Sequence, residues 1–159
     1  MYYSLFVPEV LGGLTLTAGE IGLRGIRFGK LSGISETNAV LDEAAKQITE
    51  YFAGNREQFD LPLELEGSEF QLAVWNALLT VPYGETRSYR DMAVLVNRPK
   101  GFQAIGQANT TNPIPIVVPC HRVINADGSM GGYGGGLERK RALLTLEQHN
   151  AHLFGKETA

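Results

Sequence analysis

The sequence predicts a mixed α/β protein of the α+β class, with a small N-terminal αβ domain of one sheet and one helix and a mostly helical C-terminal domain. Apolar and polar residues alternate at 14–18 and again at 23–28, with the two-residue period of half-buried strands. Most later stretches instead show helical spacing or helix-capping residues. A length of 159 residues suffices for two small domains that share an interface.

The N-terminal domain is predicted over residues 1–62. Its two alternating segments meet at a turn over 19–22 and so form a hairpin. Over 39–52 apolar residues recur at helical spacing, and a Gly-Asn pair follows where this helix should end. No catalytic cluster occurs here, so we interpret the domain as a scaffold. Residues 63–67 are predicted to be a linker.

The C-terminal domain is predicted over residues 68–150, with residues 151–159 as a tail. A capping box of Ser68 and Gln71 predicts its first helix, and its last helix is predicted over 137–149. Between them the sequence predicts two short helices across a tight turn, which is a helix-turn-helix of winged-helix-like form.

The helix-turn-helix pattern alone is weak evidence for DNA binding, because most helical hairpins bind nothing. Its basic neighbours strengthen it: Arg87, Arg90, Arg98 and Lys100. The second helix, predicted over 102–109, carries small residues that allow close approach of its backbone to another surface, although small residues also serve helix packing. These small residues are Ala104, Gly106 and Ala108.

The net charge of −3 argues against a nucleic-acid partner until it is divided along the chain. Residues 1–67 hold five basic and ten acidic side chains, a net charge of −5, whereas residues 68–147 hold eight basic and six acidic ones, a net charge of +2. Either the second segment presents a basic face to DNA, or the charges are ordinary solvated surface.

Other features exclude whole classes of protein. A single cysteine excludes an internal disulfide and a CxxC metal or redox pair. The longest apolar run, 114–120, is interrupted by two prolines and cannot span a bilayer. The first basic residue is Arg24, too late for a secretory signal, so we expect no membrane association and a cytoplasmic location.

The single cysteine stands in the run NPIPIVVPCHRV, residues 112–123, whose prolines predict a stiff extended segment. A thiol with an ordinary pKa of about 8.5 needs a base to become nucleophilic. His121 follows Cys120 directly, but adjacent side chains of an extended segment face opposite ways, so contact requires a bend or a bridging water. Glu147 is the best candidate to hold the other histidine nitrogen.

A glycine loop follows at residues 131–136, where five of six residues are glycine and the sixth is Tyr133. Asp127 and Gly128 predict a hairpin turn before it. The loop lacks the lysine and hydroxyl residue of a P-loop. We expect the backbone of this loop to pack closely around a ligand, with Tyr133 as one aromatic wall of the binding pocket.

The run PCHRVI, between NPIPIVV and GGYGGGLERKRALLTLE, closely resembles the 6-O-alkylguanine-DNA alkyltransferases, also called methylated-DNA–protein-cysteine methyltransferases. The resemblance extends through FQLAVWNALLTVPYGETRSYRDMA and so covers about residues 62–148. It implies direct-reversal DNA repair: 6-O-alkylguanine, and 4-O-alkylthymine as a second substrate, is flipped out of the duplex and gives its alkyl group irreversibly to Cys120. Each molecule then acts once, without a cofactor.

The resemblance also implies roles for residues of the reactive centre. His121 deprotonates the thiol through a water, and Glu147 orients His121. Asn112 braces the turn that supports the site. The backbone carbonyls of Cys120 and Val123 accept the exocyclic amine of guanine.

Further roles implied by the resemblance concern the pocket and the DNA. Tyr133 and Gly134 line the pocket, and Tyr89 hydrogen-bonds the guanine and helps to rotate the nucleotide. The DNA-binding residues are expected to be Tyr89, Arg90, Gln103, Ala104 and Gly106. The partner is double-stranded DNA bearing alkylated guanine, bound by a monomer through the minor groove.

The chain departs from the family pattern at two positions. Gln103 stands where family members carry an arginine that fills the gap left by the flipped base, and Gly134 stands where some relatives carry a serine. The cysteines of a zinc site known in some relatives have no counterpart, so no metal is expected. His149 and His152 at a helix end are better explained as partners of the helix dipole than as metal ligands.

Two alternatives come from other functional classes. A non-catalytic or weakly active lesion-binding protein would fit the missing arginine at Gln103, but such proteins commonly replace the cysteine that is present here. A thiol hydrolase could use the Cys-His pair, although nothing else in the chain resembles those enzymes.

Overall fold

The computed structural model describes residues 3–31, 36–98 and 101–155. The chain divides into two units: unit 1 comprises residues 1–65 together with 113–115, and unit 2 comprises residues 66–112 and 116–159. The division after residue 65 falls inside the segment predicted to be a linker. A small sheet and several helices make up the described residues, so the predicted α+β class is confirmed.

Unit 1 is an antiparallel sheet with one helix packed on it, as the hydrophobic patterns predict. The strands are β1 (Tyr3–Val7), β2 (Leu14–Ala18) and β3 (Leu23–Phe28), with β2 in the centre. The helix α1 (Ala39–Phe52) starts at Asn38, whose side chain accepts a hydrogen bond from Leu41 N. Its buried face and the fully buried Leu14 and Leu16 form the core of this unit.

The first residues of the predicted linker are bound to this sheet. Leu63 pairs with Leu23 in a parallel bridge. The carboxylate of Glu64 accepts hydrogen bonds from Arg24 and from the backbone amides of Ile21 and Gly22. These contacts fix residues 63 and 64 against the entrance to β3.

Unit 2 is mostly helical, and hydrogen-bonded caps begin two of its helices. The capping boxes at Ser68 and Ser88 are both formed. Trp75 is buried and donates from Nε1 to the carbonyl of Ala108 at 2.9 Å, which joins the first helix of the unit to its third. The elements are α2 (Glu69–Leu78), β4 (Arg87–Ser88), α3 (Tyr89–Leu95), α4 (Phe102–Thr110), β5 (Val123–Ile124) and α5 (Leu137–Asn150).

The helices α3 and α4 pack against each other across a short connection, as predicted. Asn97 in this connection has a φ of 60°, a left-handed conformation that asparagine tolerates better than most residues. Lys100, one of the predicted basic neighbours, lies outside the described residues. The winged-helix-like form is not confirmed.

The turn predicted at Asp127 and Gly128 exists but does not close a β-hairpin. Gly128 N donates to Asn125 O, and Asn125 N donates to Ser129 O. The preceding strand β5 pairs with β4 in parallel instead of with a following strand. A Gly-containing turn specifies a local reversal, whereas a hairpin also needs two flanking strands that can pair.

The segment 112–119 is not the extended run that its prolines predict. Ile116 has a φ of 76°, so the backbone reverses locally. Residues Cys120–Arg122 then form a short 3₁₀ helix, which we call the cysteine turn. Prolines at 113, 115 and 119 exclude a regular α-helix, but they permit single turns between them.

The predicted tail begins with ordered structure. Residues Ala151–Phe154 form another 3₁₀ turn in which Ala151 is fully buried. The ring of Phe154 packs edge-on against Tyr83 with the centroids 5.2 Å apart. Aromatic and aliphatic side chains therefore hold these residues on unit 2. No described helix has both the length and the apolar character required to cross a membrane.

Candidate active site

Cys120 lies at the first position of the cysteine turn and is 4% exposed. The side-chain amide of Asn112 hydrogen-bonds the sulfur and also donates to the carbonyl of Val118 at 2.8 Å. Asn112 thus joins the two ends of the segment that leads to the cysteine. Asn112 is the residue expected to brace the turn that supports the site, and its amide hydrogen-bonds both the sulfur and this segment.

His121 is fully buried next to Cys120 and contacts Glu147 on α5. Its Nε2 lies 2.7 Å from Oε2 of Glu147. Because an ionised carboxylate only accepts hydrogen bonds, Nε2 carries the proton and Nδ1 carries the free lone pair when the imidazole is neutral. That Nδ1 is buried and makes no hydrogen bond to any residue that the structure describes.

Arg122 is the second partner of Glu147. Its Nε donates to Oε1 at 2.8 Å and its Nη2 donates to Oε2 at 2.9 Å, in the bidentate geometry of arginine–carboxylate pairs. Nη1 donates to the carbonyl of Val81 at 2.7 Å, and the guanidinium faces the Tyr83 ring at 5.8 Å. Arg122 therefore links the cysteine turn to α5 and to the 81–84 turn.

Lys140 is a buried cation beside the same turn. It has no exposed surface, and its Nζ donates to the carbonyls of Val123 at 2.6 Å and Gly132 at 3.1 Å. Val123 is the residue whose carbonyl is expected to accept the exocyclic amine of guanine. A carbonyl oxygen has two lone pairs, so the bond from Lys140 leaves one acceptor position on Val123.

The pKa values of these groups follow from burial and from one another. Burial raises the pKa of the Cys120 thiol to about 11, and the Asn112 hydrogen bond and the Lys140 charge only partly oppose this. Burial lowers the pKa of Lys140 to about 8. The thiol is therefore protonated at neutral pH in the free protein and needs a base to react.

Glu147 and His121 shift in the same direction for different reasons. Burial alone would raise the pKa of Glu147, but the charges and hydrogen bonds of His121 and Arg122 hold it well below its usual range. Burial lowers the pKa of His121, and the positive charges of Arg122 and Lys140 add to this effect against the opposing influence of Glu147. The geometry thus combines an ionised carboxylate with a neutral imidazole.

The glycine loop brings two tyrosines towards the cysteine. The backbone amide of Gly132 donates to the hydroxyl of Tyr89, and a Cβ at Gly131 would lie 3.0 Å from that hydroxyl. Gly131 also has a φ of 69°, so both space and backbone conformation require glycine there. Tyr133 is half-buried, and burial together with the Cys120 charge raises the pKa of its phenol.

The outer face of α4 is exposed and carries little side-chain bulk. Gln103 and Ala104 are exposed, and a Cβ added at Gly106 would meet nothing within 4 Å. A groove of about 1040 Å³ runs along this face, between the start of α2 and Gly132. Ala108 also lines this groove, but its side chain is buried and its carbonyl accepts the hydrogen bond from Trp75, so it also serves helix packing.

A second cleft brings together three of the expected DNA-binding residues. Tyr89, Arg90 and Gln103 line a cavity of about 410 Å³ near the start of α4. The parallel pairing of β4 with β5 places Tyr89 directly after a strand that abuts the cysteine turn. Gly134, expected in the pocket, is exposed, and its Cβ position lies 3.5 Å from the carbonyl of Thr110.

Sequence reasoning missed Arg122 and Lys140 as parts of the centre. The signal for Lys140 was its spacing: Lys140, Leu143 and Glu147 occupy one face of α5, so two charged residues stand on a stripe that must be buried. No comparable signal existed for Arg122, because the turn that buries it was predicted to be extended. Among the described residues, no group of three or more His, Cys, Asp and Glu side chains could hold a metal ion.

Comparison with known proteins places this geometry in a family. Residues 69–149 match the model described as 6-O-methylguanine DNA methyltransferase, DNA binding domain. Residues 1–65 match the model described as 6-O-methylguanine DNA methyltransferase, ribonuclease-like domain. The two matches together cover most of both units.

Individual relatives agree over nearly the whole chain. A methylated-DNA–protein-cysteine methyltransferase of Methanosarcina barkeri is 43% identical over 159 aligned residues, 94% of this chain and 99% of the relative. The structure of OGT from Mycobacterium tuberculosis in complex with DNA aligns with a TM-score of 0.83 and 45% identity, covering 94% of this chain and 93% of that one. The O6-methylguanine methyltransferase of the same organism aligns at 0.86 and 41%, covering 97% and 99%. With both domains matched and relatives above 40% identity, this chain belongs to the 6-O-methylguanine DNA methyltransferase family.

Proposed function

We propose that this protein repairs alkylated DNA by direct reversal, with Cys120 as the acceptor of the alkyl group from O6 of guanine. The observation that carries the proposal is the buried set of Cys120, His121 and Glu147 in a chain of this family. The substrate is double-stranded DNA bearing 6-O-alkylguanine, with 4-O-alkylthymine as a second substrate, and the protein acts as a monomer without a cofactor.

The reaction moves one alkyl group and one proton. The bond from Sγ of Cys120 to the alkyl carbon forms while the bond from that carbon to guanine O6 breaks, with the electron pair staying on the oxygen. The thiol proton passes to Nδ1 of His121, directly or through one water, and His121 finally delivers it to the guanine anion that leaves. Atoms and charge balance, and the thioether that remains explains why each molecule acts once.

The pKa values support general-base assistance. A thiol with a pKa of about 11 is almost entirely protonated at neutral pH, so direct attack by the resting thiolate is disfavoured. The free lone pair of His121 Nδ1 faces no competing partner among the described residues, while Glu147 fixes the proton on Nε2. General-base catalysis of this kind contributes about 10²–10⁴-fold.

The guanine pocket is proposed to lie between the cysteine turn and the glycine loop. Tyr133 forms one wall and the backbone at Gly134 leaves space beside it. The carbonyls of Cys120 and Val123 accept the exocyclic amine, and the hydroxyl of Tyr89 donates to the base. An alkyl carbon inside a duplex is out of reach of a buried thiol, so the nucleotide must be flipped out.

The DNA surface is proposed to be the outer face of α4 in the minor groove. Ala104 and Gly106 allow the helix backbone to approach the DNA closely, and Gln103 stands beside the gap left by the flipped base. Arg90 contributes a phosphate contact, which positions the protein without reading sequence.

Intact-mass spectrometry after incubation with duplex DNA containing 6-O-methylguanine tests this proposal. We expect a gain of one methyl group per molecule, located on Cys120 by peptide mapping, and then no further reaction. Cys120→Ala should gain nothing while it still binds the duplex. Several methyl groups released per protein molecule, or methylation at another residue, would refute the proposal.

A non-catalytic lesion-binding function is not favoured. Such a function needs no base, yet the residue that follows the thiol is a buried imidazole held by a buried carboxylate. A protein that only binds lesions would bind the methylated duplex in the same experiment without any gain in mass.

A further inference from the structure

We propose that Arg122 is a positioning residue: by sharing the carboxylate of Glu147 with His121, it keeps that imidazole neutral in the resting protein and ready to accept the proton of Cys120. This inference rests on the proposed function, in which His121 is the base. It assigns a role to an arginine that touches neither the thiol nor the substrate.

His121 and Arg122 share one oxygen of the Glu147 carboxylate. Oε2 of Glu147 lies 2.7 Å from His121 Nε2 and 2.9 Å from Arg122 Nη2, while Oε1 accepts from Arg122 Nε at 2.8 Å and from Gly84 N at 3.3 Å. Arg122 therefore supplies two of these four hydrogen bonds, one to each carboxylate oxygen. All three side chains are at most 8% exposed, so water screens these charges little.

The charges of Glu147, Arg122 and His121 determine whether the buried trio tolerates a further proton. With His121 neutral, Glu147 and Arg122 cancel and the buried trio carries no net charge. A proton taken from solvent would give the trio a net positive charge, which a buried site disfavours strongly. Without Arg122 the remaining pair would be negative, and the same proton would neutralise it.

A proton from the Cys120 thiol changes the net charge of the centre differently from a proton taken from solvent. When Cys120 gives its proton to His121, a thiolate and an imidazolium appear together, so the net charge of the centre does not change. Arg122 thus opposes protonation of the resting base but does not oppose the transfer that the reaction needs.

The other titratable groups around His121 do not replace Arg122. Lys140 on α5 adds positive charge and acts in the same direction, but it donates to backbone carbonyls and not to Glu147. Tyr133 faces the centre from the glycine loop, and Cys120 precedes His121 on the same turn; both are neutral at neutral pH because burial raises their pKa values. The 81–84 turn contributes the Tyr83 ring and the Gly84 amide, neither of which is charged.

The geometry also makes Arg122 hard to replace by lysine. Its Nη1 is held by the Val81 carbonyl at 2.7 Å while Nε and Nη2 form the fork to the carboxylate. An ammonium keeps the charge but cannot form that fork. Arg122→Lys therefore separates the effect of charge from that of hydrogen-bond geometry.

The test is a histidine titration by NMR in the free protein, combined with single-turnover methyl transfer across pH. The chain has three histidines, so the variants His149→Gln and His152→Gln assign the signals. In wild type we expect His121 to titrate below the usual midpoint of about 6.5. In Arg122→Met the midpoint should rise by about 1 pH unit or more, and in Arg122→Lys by less.

The rate profile should follow the titration. In Arg122→Met the fall in rate on the acid side should move up by the same interval. A shift of 1 pH unit gives up to about tenfold less activity at pH values below both midpoints, with a return to within about threefold of wild type at alkaline pH. Arg56→Met is the matched control, because it removes an arginine paired with Glu50 in unit 1. It should change neither measurement.

Each outcome decides the inference. An unchanged midpoint in folded Arg122→Met, or a rate lowered equally at every pH, would overturn it and leave Arg122 a purely structural residue. If Arg122→Met does not fold, a wild-type midpoint at or above the usual value overturns the inference, and one below it together with a raised midpoint in Arg122→Lys supports it. Absence of methyl transfer in wild type would refute the proposed function alone, since the titration needs no substrate.

Discussion

The centre around Cys120 and the outer face of α4 belong to the same unit but are built in opposite ways. In the centre, Glu147 and Lys140 are buried, and hydrogen bonds at 2.6–3.3 Å hold their polar atoms. On the outer face of α4, Ala104 is exposed and Gly106 has open space where a side chain would begin. The centre is held by many hydrogen bonds between buried polar groups, whereas the outer face of α4 consists of small residues that leave the helix backbone accessible.

This difference teaches where single substitutions should matter. A buried charge that loses its partner carries the full cost of its desolvation, whereas an exposed contact is screened and exchanges with water. Changes in the centre should therefore alter rate and stability together. Changes on the α4 face should alter only steps that involve DNA, and by smaller factors.

The largest effect is expected for Glu147→Gln. This change leaves Arg122 without a buried counter-charge and removes the group that fixes the His121 tautomer, so methyl transfer should slow by about 100-fold or more. The free energy of unfolding should fall by about 3–5 kcal/mol. Single-turnover kinetics and urea unfolding measure the two effects. Glu138→Gln, an exposed change on the same helix, is the control and should leave both quantities near wild type. A Glu147→Gln rate within about threefold of wild type would show that the thiol does not depend on this carboxylate.

The next effect concerns Lys140→Met and has a definite pH dependence. Folding lowers the Lys140 pKa from 10.5 to about 8, so in wild type the unfolded chain binds more protons between those values and stability rises with pH there. Folding raises the Cys120 pKa from 9.0 to about 11, so stability falls between those values. Lys140→Met should remove this rise, by roughly 3 kcal/mol at pH 10.5 relative to pH 7.5. It should also raise the Cys120 pKa further, because the Lys140 charge no longer opposes the effect of burial on the thiol.

Urea unfolding of wild type and Lys140→Met from pH 7.5 to 11 measures this difference. The comparison cancels the titrating groups that do not interact with Lys140, but not Cys120 and His121, whose pKa values the Lys140 charge lowers. Val123 and Gly132 lose their donor in the variant, so its stability at pH 7.5 depends on how their carbonyls are rehydrated. Rehydration of these carbonyls adds the same amount to the stability difference at every pH, so it does not affect how that difference changes with pH. A difference that stays constant across the range would mean that Lys140 keeps its ordinary pKa in the folded protein.

The sequence predicted local structure well and the buried charge network poorly. The capping box at Ser68 and the strand alternation of unit 1 depend on neighbouring residues, and the structure confirms them. Ile116, by contrast, adopts a left-handed conformation that proline statistics do not predict, and this reversal leads into the turn that buries Arg122. Residues 25 or more positions apart, such as Arg122 and Glu147, meet only through tertiary packing, which periodicity does not report.

A smaller effect is expected for Gln103→Arg on the α4 face. A charged donor contributes about 1.5–3 kcal/mol and a neutral one about 0.5–1.5 kcal/mol, so arginine should favour the flipped state by about 1 kcal/mol. Repair of duplex DNA should then become about five- to tenfold faster if flipping limits it. Gln107→Arg adds the same charge one turn later on the exposed side of α4 and is the matched control. Reaction with free 6-O-methylguanine base, which needs no flipping, should not change. Equal duplex rates for Gln103 and arginine would show that neighbouring residues already fill the gap.

The smallest effect is expected for Arg90→Gln, and it shows whether the basic surface of unit 2 contacts DNA at all. Each phosphate contact adds about −0.9 to the slope of log affinity against log salt, so loss of one contact changes affinity only about threefold between 50 and 200 mM salt. Arg90 is exposed and lines the cleft that holds Tyr89 and Gln103, whereas Arg141 is exposed on α5 and lines a different cleft. We therefore expect Arg90→Gln to flatten the salt slope by about one contact for every DNA sequence, and Arg141→Gln, with the same change in net charge, to leave it unchanged. Equal slopes for the two variants would mean that DNA affinity depends only on the net charge of the protein. That result would contradict the proposal that the α4 face is the DNA-binding surface.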